Sequence, residues 1–75
     1  MTKLPVLRAK DIIAALGRAG FIIHHQHGSH VRLRCEGSPT RNVTVPVHAV
    51  DIPQGTLRRI IEQAGMTHDE FRNLL

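Results

Sequence analysis

The pair Gly28-Ser29 separates two strand-like runs, Phe21 to Gln26 and His30 to Cys35, and reads as the tip of a β-hairpin. No other feature constrains the fold as much, because the register of this hairpin decides which side chains enter the core. A two-residue Gly28-Ser29 turn pairs His27 with His30 and sets His24 against Leu33. A three-residue tip starting at His27 instead pairs Gln26 with His30 and Ile23 with Leu33. The second register gathers Phe21, Ile23, Val31, Leu33 and Cys35 on one face. It sends His24, Gln26, His30, Arg32 and Arg34 to the other. A one-residue slip exchanges whole faces, so burial outweighs the turn preference and the three-residue tip is expected.

The flanking segments follow from their periodicity. Ala9, Ile12, Ile13, Leu16 and Ala19 fall at helical spacing, with Gly20 as a left-handed stop. No strong capping residue precedes Lys10. After a polar loop around Ser38-Pro39, Asn42 to Val47 alternates, with Val43, Val45 and Val47 inward and Thr44 and His48 outward. Pro46 lacks the backbone donor that a central strand needs, so this strand belongs at an edge. After the loop His48 to Pro53, a second helix runs to about Ala64 and buries Leu57, Ile60, Ile61 and Ala64. Thr67-His68-Asp69-Glu70 has capping-box form, and the short helix after it is pinned by Phe71, Leu74 and Leu75. The expected architecture is a single α+β domain over residues 1–75, in which a helix, a three-stranded antiparallel sheet and a helix are followed by a short C-terminal helix.

Size and charge narrow the function. A 75-residue chain buries only about 60% of its unfolded surface, which leaves no room for a cofactor domain or a deep cavity. Ten Lys and Arg against six Asp and Glu give a formal charge of +4. That excess favours an anionic partner, nucleic acid ahead of membrane. No apolar stretch is long enough to span a bilayer, and Met1 to Arg8 lack the apolar core of a secretory signal. A single cysteine, Cys35, fits a reducing cytoplasm and reads as a small buried hydrophobe. With Phe21 and Phe71 the only aromatic residues among Phe, Trp and Tyr, a base-stacking surface is not expected.

The candidate chemistry centres on His30, which follows the hairpin tip and shares its strand face with Arg32 and Arg34. An imidazole exchanges protons near neutrality, and guanidinium groups stabilise a charged phosphorane. The bland alternative is an exposed histidine beside a turn. His27 and His48 are candidates for a second proton-transfer group. Gly55-Thr56-Leu57-Arg58-Arg59 opens the second helix, where Arg58 or Arg59 is a candidate for a phosphate contact. The cluster His24, His25, His27 and His30 invites a metal reading, but zinc sites in small domains combine several Cys and His ligands at set spacings. No metal or other cofactor is expected.

Taken together, Ala19-Gly20-Phe21, Gly28-Ser29-His30, Val43-Thr44-Val45-Pro46-Val47-His48, Gly55-Thr56-Leu57-Arg58 and Gln63-Ala64-Gly65 resemble the HicA toxins of bacterial toxin–antitoxin pairs, also called the YcfA-like family. The match covers nearly the whole chain in the family's order. The resemblance implies a fold like the double-stranded RNA-binding domain, metal-free cleavage of mRNA, translation arrest and neutralisation by a HicB-type antitoxin. It places the family's catalytic histidine on His30. The expected RNA contacts are Gly28, Ser29, Arg32, Arg34 and Arg58, in a chain that is monomeric on its own. Two features depart from the family: Met1 to Arg8 extend the N-terminus, and Ala49 to Gln54 carry no Lys or Arg. The rival reading from a different class is a non-catalytic module that binds duplex RNA by shape and phosphate contacts. A small partner-binding protein is a third.

Overall fold

The computed structural model describes residues 4–47 and 50–75. It contains a helix α1 (Ala9–Arg18), strands β1 (Ile22–His27), β2 (His30–Cys35) and β3 (Arg41–Pro46), and helices α2 (Gln54–Gln63) and α3 (His68–Arg72). The strands form one antiparallel sheet in the order β1-β2-β3. This is the α+β arrangement expected, with the His30 strand in the middle and Pro46 on an edge.

Both long helices stop in the same way. Gly20 (φ 97°) follows α1, where Phe21 N–H donates to Leu16 C=O at 3.0 Å and Gly20 N–H to Gly17 C=O at 3.1 Å. Gly65 (φ 71°) follows α2, where Met66 N–H reaches Ile61 C=O at 3.2 Å and Gly65 N–H reaches Glu62 C=O at 3.0 Å. Each pair is a Schellman motif, which needs a left-handed residue that glycine adopts without strain. At its start, α1 lacks a hydroxyl cap. The Asp11 carboxylate accepts the Arg8 backbone N–H at 3.0 Å, the reciprocal half of a capping box. The capping box of α3 forms in both directions, Glu70 N–H to Thr67 Oγ1 at 3.1 Å and Thr67 N–H to Glu70 Oε1 at 2.8 Å.

The hairpin register departs from expectation in an instructive way. His27 pairs with His30, Gln26 with Val31 and His25 with Arg32, so the tip is the two-residue turn. Gly28 has φ 57° and Ser29 a negative φ, the pattern of a type II′ turn, which takes glycine at its first central position. Beyond His25 the ladder shifts, and Ile23 nevertheless pairs with Leu33 and Ile22 with Arg34. His24 is the extra residue, absorbed as a β-bulge. The turn preference and the Ile23–Leu33 pairing are both met, at the cost of one irregular position.

The core joins Val31, Leu33, Val43 and Val45 from the sheet to Ile12, Leu16, Leu57, Ile60 and Ile61 from the helices, with Phe71 of α3 fully enclosed. Both long helices pack against β3. Nothing comparable covers β1, and all six of its residues are exposed. Ile23 therefore does not join the core as expected and stays 55% exposed. Three further expectations fail at the margins of the same core. Val47 lies past the end of β3 and is 39% exposed, and Leu75 at the terminus is 48% exposed. Cys35 is only half-buried, as are Ile13 and Ala19, although all three touch the core.

Candidate nucleic-acid interface

The sheet face opposite the helices carries the functional candidates. Cross-strand partners in an antiparallel ladder share a face. The observed register thus puts His27 beside His30, His25 beside Arg32, and Thr44 on the far side of Arg32. These five side chains line an open depression of about 470 Å³, and none of its described lining residues is acidic. The His25 and His27 rings stack, with centroids 6.2 Å apart and planes 11° from parallel.

The frame around this depression is firmly held. Val47 N–H donates to Ser29 C=O at 2.5 Å, which ties the hairpin tip to the end of β3. At the outer edge of β3, the Thr44 N–H donates to Gln63 Oε1 of α2 at 3.2 Å. That side chain satisfies a donor which an unprotected edge would leave open.

The proposed site residues divide into two groups. His30 and Arg32 line the depression, and Gly28 and Ser29 form the turn adjoining it. Arg34 shares their strand parity but lies outside the lining. Its Nε pairs with Glu36 Oε1 at 3.1 Å, which partly neutralises its charge. Arg58 is exposed on α2 and does not line the depression either. The outer face expected from sequence, with His24 and Gln26 on it, is corrected to His25 and His27 by the two-residue turn. His25 is the lining residue that the sequence reading missed. The Gly28-Ser29 turn rule, applied without the burial argument, would have found it. His48 lies outside the described residues. Among the described residues, no three His, Cys, Asp or Glu side chains are grouped to hold a metal ion.

Residues 9–66 match the sequence model of a family described as the HicA toxin of bacterial toxin-antitoxin. The chain belongs to the HicA toxin family. The matched span takes in the hairpin, the depression and both Schellman stops, and leaves α3 beyond it. No curated protein matches the chain. Membership of the HicA family makes the chain the toxin of a toxin–antitoxin pair, whose partner in kind is an antitoxin. No helix among the described residues is long and apolar enough to cross a membrane.

Proposed function

We propose that this HicA-family toxin is an mRNA endonuclease of a type II pair, cleaving RNA without a metal and using His30 as general acid or base. The observation that carries the reading is the placement of His30 and Arg32 together in one open depression of a HicA-family chain, with no acidic residue among the described lining residues. A phosphodiester approaching this face meets an exposed imidazole and a guanidinium on one strand. The ribose 2′-oxygen attacks phosphorus as its proton leaves, and the 5′-oxygen departs as it gains one. The products are a 2′,3′-cyclic phosphate and a 5′-hydroxyl. Arg32 offsets the negative charge that builds on the phosphorane. Gly28 and Ser29 hold the tip against the RNA backbone, and Arg34 and Arg58 extend the cationic surface. A HicB-type antitoxin in the cytoplasm neutralises the monomeric toxin by covering this face.

The test is cleavage of mRNA by the purified chain in excess EDTA, wild type beside His30→Ala. A positioned histidine contributes roughly 10²–10⁴-fold, so the variant should lose at least that lower factor while keeping its circular dichroism spectrum. A folded His30→Ala protein that cuts at the wild-type rate refutes the role. Tight RNA binding by a wild type that never cuts would instead identify a duplex-RNA-binding module.

A further inference from the structure

We propose that His27 is the second proton-transfer group of this reaction, working with His30 across the hairpin turn; the inference rests on the nuclease reading above. In-line displacement at phosphorus places the attacking and leaving oxygens on opposite sides. One group must take the 2′-hydroxyl proton while another supplies a proton to the departing 5′-oxygen. Two imidazoles on one surface, close but not superimposed, meet that need.

The register provides them. His27 and His30 flank the two-residue turn as directly opposed partners, which puts their Cβ atoms about 4.5–5.5 Å apart and their side chains on the same face. Both rings line the same depression, and both residues are exposed. The turn between them is held at Gly28 by its positive φ and at Ser29 by the Val47 N–H, so their separation does not depend on a loose loop. Among the described residues, the other titratable or charged groups lining the depression are His25 and Arg32. A guanidinium is not a proton shuttle, so Arg32 contributes charge and not proton transfer. His25 sits one ladder pair further from the tip, opposite Arg32, and stacks on the His27 ring.

The step balances as follows. One neutral imidazole of the pair accepts the 2′-hydroxyl proton as the O2′–P bond forms. The other, protonated, gives its proton to O5′ as the P–O5′ bond breaks. The pair ends with its protonation exchanged, and water returns it to the starting state.

The experiment maps one cleavage site with the wild type. It then measures kcat/KM against pH for wild type, His30→Ala, His27→Ala, His27→Gln and His25→Ala. The substrates are an oligoribonucleotide spanning that site and its analogue with sulfur in place of the leaving 5′-oxygen. Sulfur departs without protonation, so only loss of the acid is rescued. The wild type should give a bell-shaped profile. Both His27 variants should fall about 100-fold or more and lose one limb of the bell. Either the His27 or the His30 variants, not both, should recover on the sulfur substrate. A His27→Gln protein within about threefold of wild type, with both limbs intact while His30→Ala is inactive, overturns the inference and leaves the nuclease reading standing. A limb lost in His25→Ala rather than in the His27 variants overturns it as well. A wild type that does not cut at all overturns both.

Discussion

Ile23 and Leu33 are cross-strand partners on the same sheet face, yet they stand on opposite sides of a packing boundary. Leu33 is 1% exposed and Ile23 is 55% exposed, because α1 and α2 cover β3 and the middle strand but not β1. Truncating each to alanine should therefore cost very different amounts. Leu33→Ala removes a fully enclosed side chain and should destabilise by about 2–5 kcal/mol, transfer and cavity terms together. Full burial of an isoleucine is worth about 1.5–3 kcal/mol. With over half its surface still in water, Ile23 contributes under half of that, and no closed cavity forms when it is cut back. Ile23→Ala should cost roughly 0.5–1 kcal/mol. A domain of this length has only about 4–11 kcal/mol in total, so the Leu33 change consumes a large share of it. Urea unfolding followed by circular dichroism measures both. With a slope near 1 kcal/mol per molar, the low end for small domains, the midpoint should move by at least ~2 M for Leu33→Ala and by ~1 M or less for Ile23→Ala. Equal shifts would show that β1 is covered in solution and that the boundary drawn here is wrong.

Arg32→Glu should weaken RNA binding and flatten its salt dependence more than Arg34→Glu, because Arg32 lines the depression while Arg34 is already engaged by Glu36. Filter binding at several salt concentrations distinguishes them, and a larger effect at Arg34 would relocate the interface. Gly28→Ala and Gly17→Ala should act with opposite signs, although neither added Cβ meets an atom within 4 Å. The first forces a positive φ on a side chain and should cost about 1–2 kcal/mol; the second removes helical glycine entropy and should gain up to ~1 kcal/mol. Thermal unfolding decides, and two changes of the same sign would refute the turn assignment. The Glu70 carboxyl is held below its ordinary range, chiefly by the Thr67 backbone N–H, with the Thr67 hydroxyl and Arg41 assisting. A depressed carboxyl stabilises the fold above its unfolded value and ceases to do so as pH falls through its folded one. The α3 cap should hence loosen only below the normal carboxylate range. An NMR titration of Glu70 with a midpoint at or above that of an unfolded peptide would contradict this.

Much of this was legible from sequence because it depends on neighbours along the chain. Gly20 and Gly65 stop their helices through local left-handed geometry, and Thr67 with Glu70 caps α3 through a three-residue reach. Period-two alternation alone places His30 and Arg32 on one face. What misled was the choice between the turn and the core. Gly28 favours the tight tip and Ile23 favours pairing with Leu33, and a rigid ladder cannot satisfy both. The fold does so by admitting His24 as a bulge, which moves His25 and His27 to the functional face.

The amino-acid order alone determined the succession of elements, the helix stops and the strand that carries His30. Those choices are made by backbone sterics and by hydrogen bonds a few residues apart. The tertiary structure alone decided that the helices shield two strands and leave the third bare, and that a bulge at His24 lets the tight turn coexist with the Ile23–Leu33 pairing. Both depend on which surfaces meet across the sheet, and hydrophobic contact is non-directional, so periodicity cannot say which strand a helix will cover.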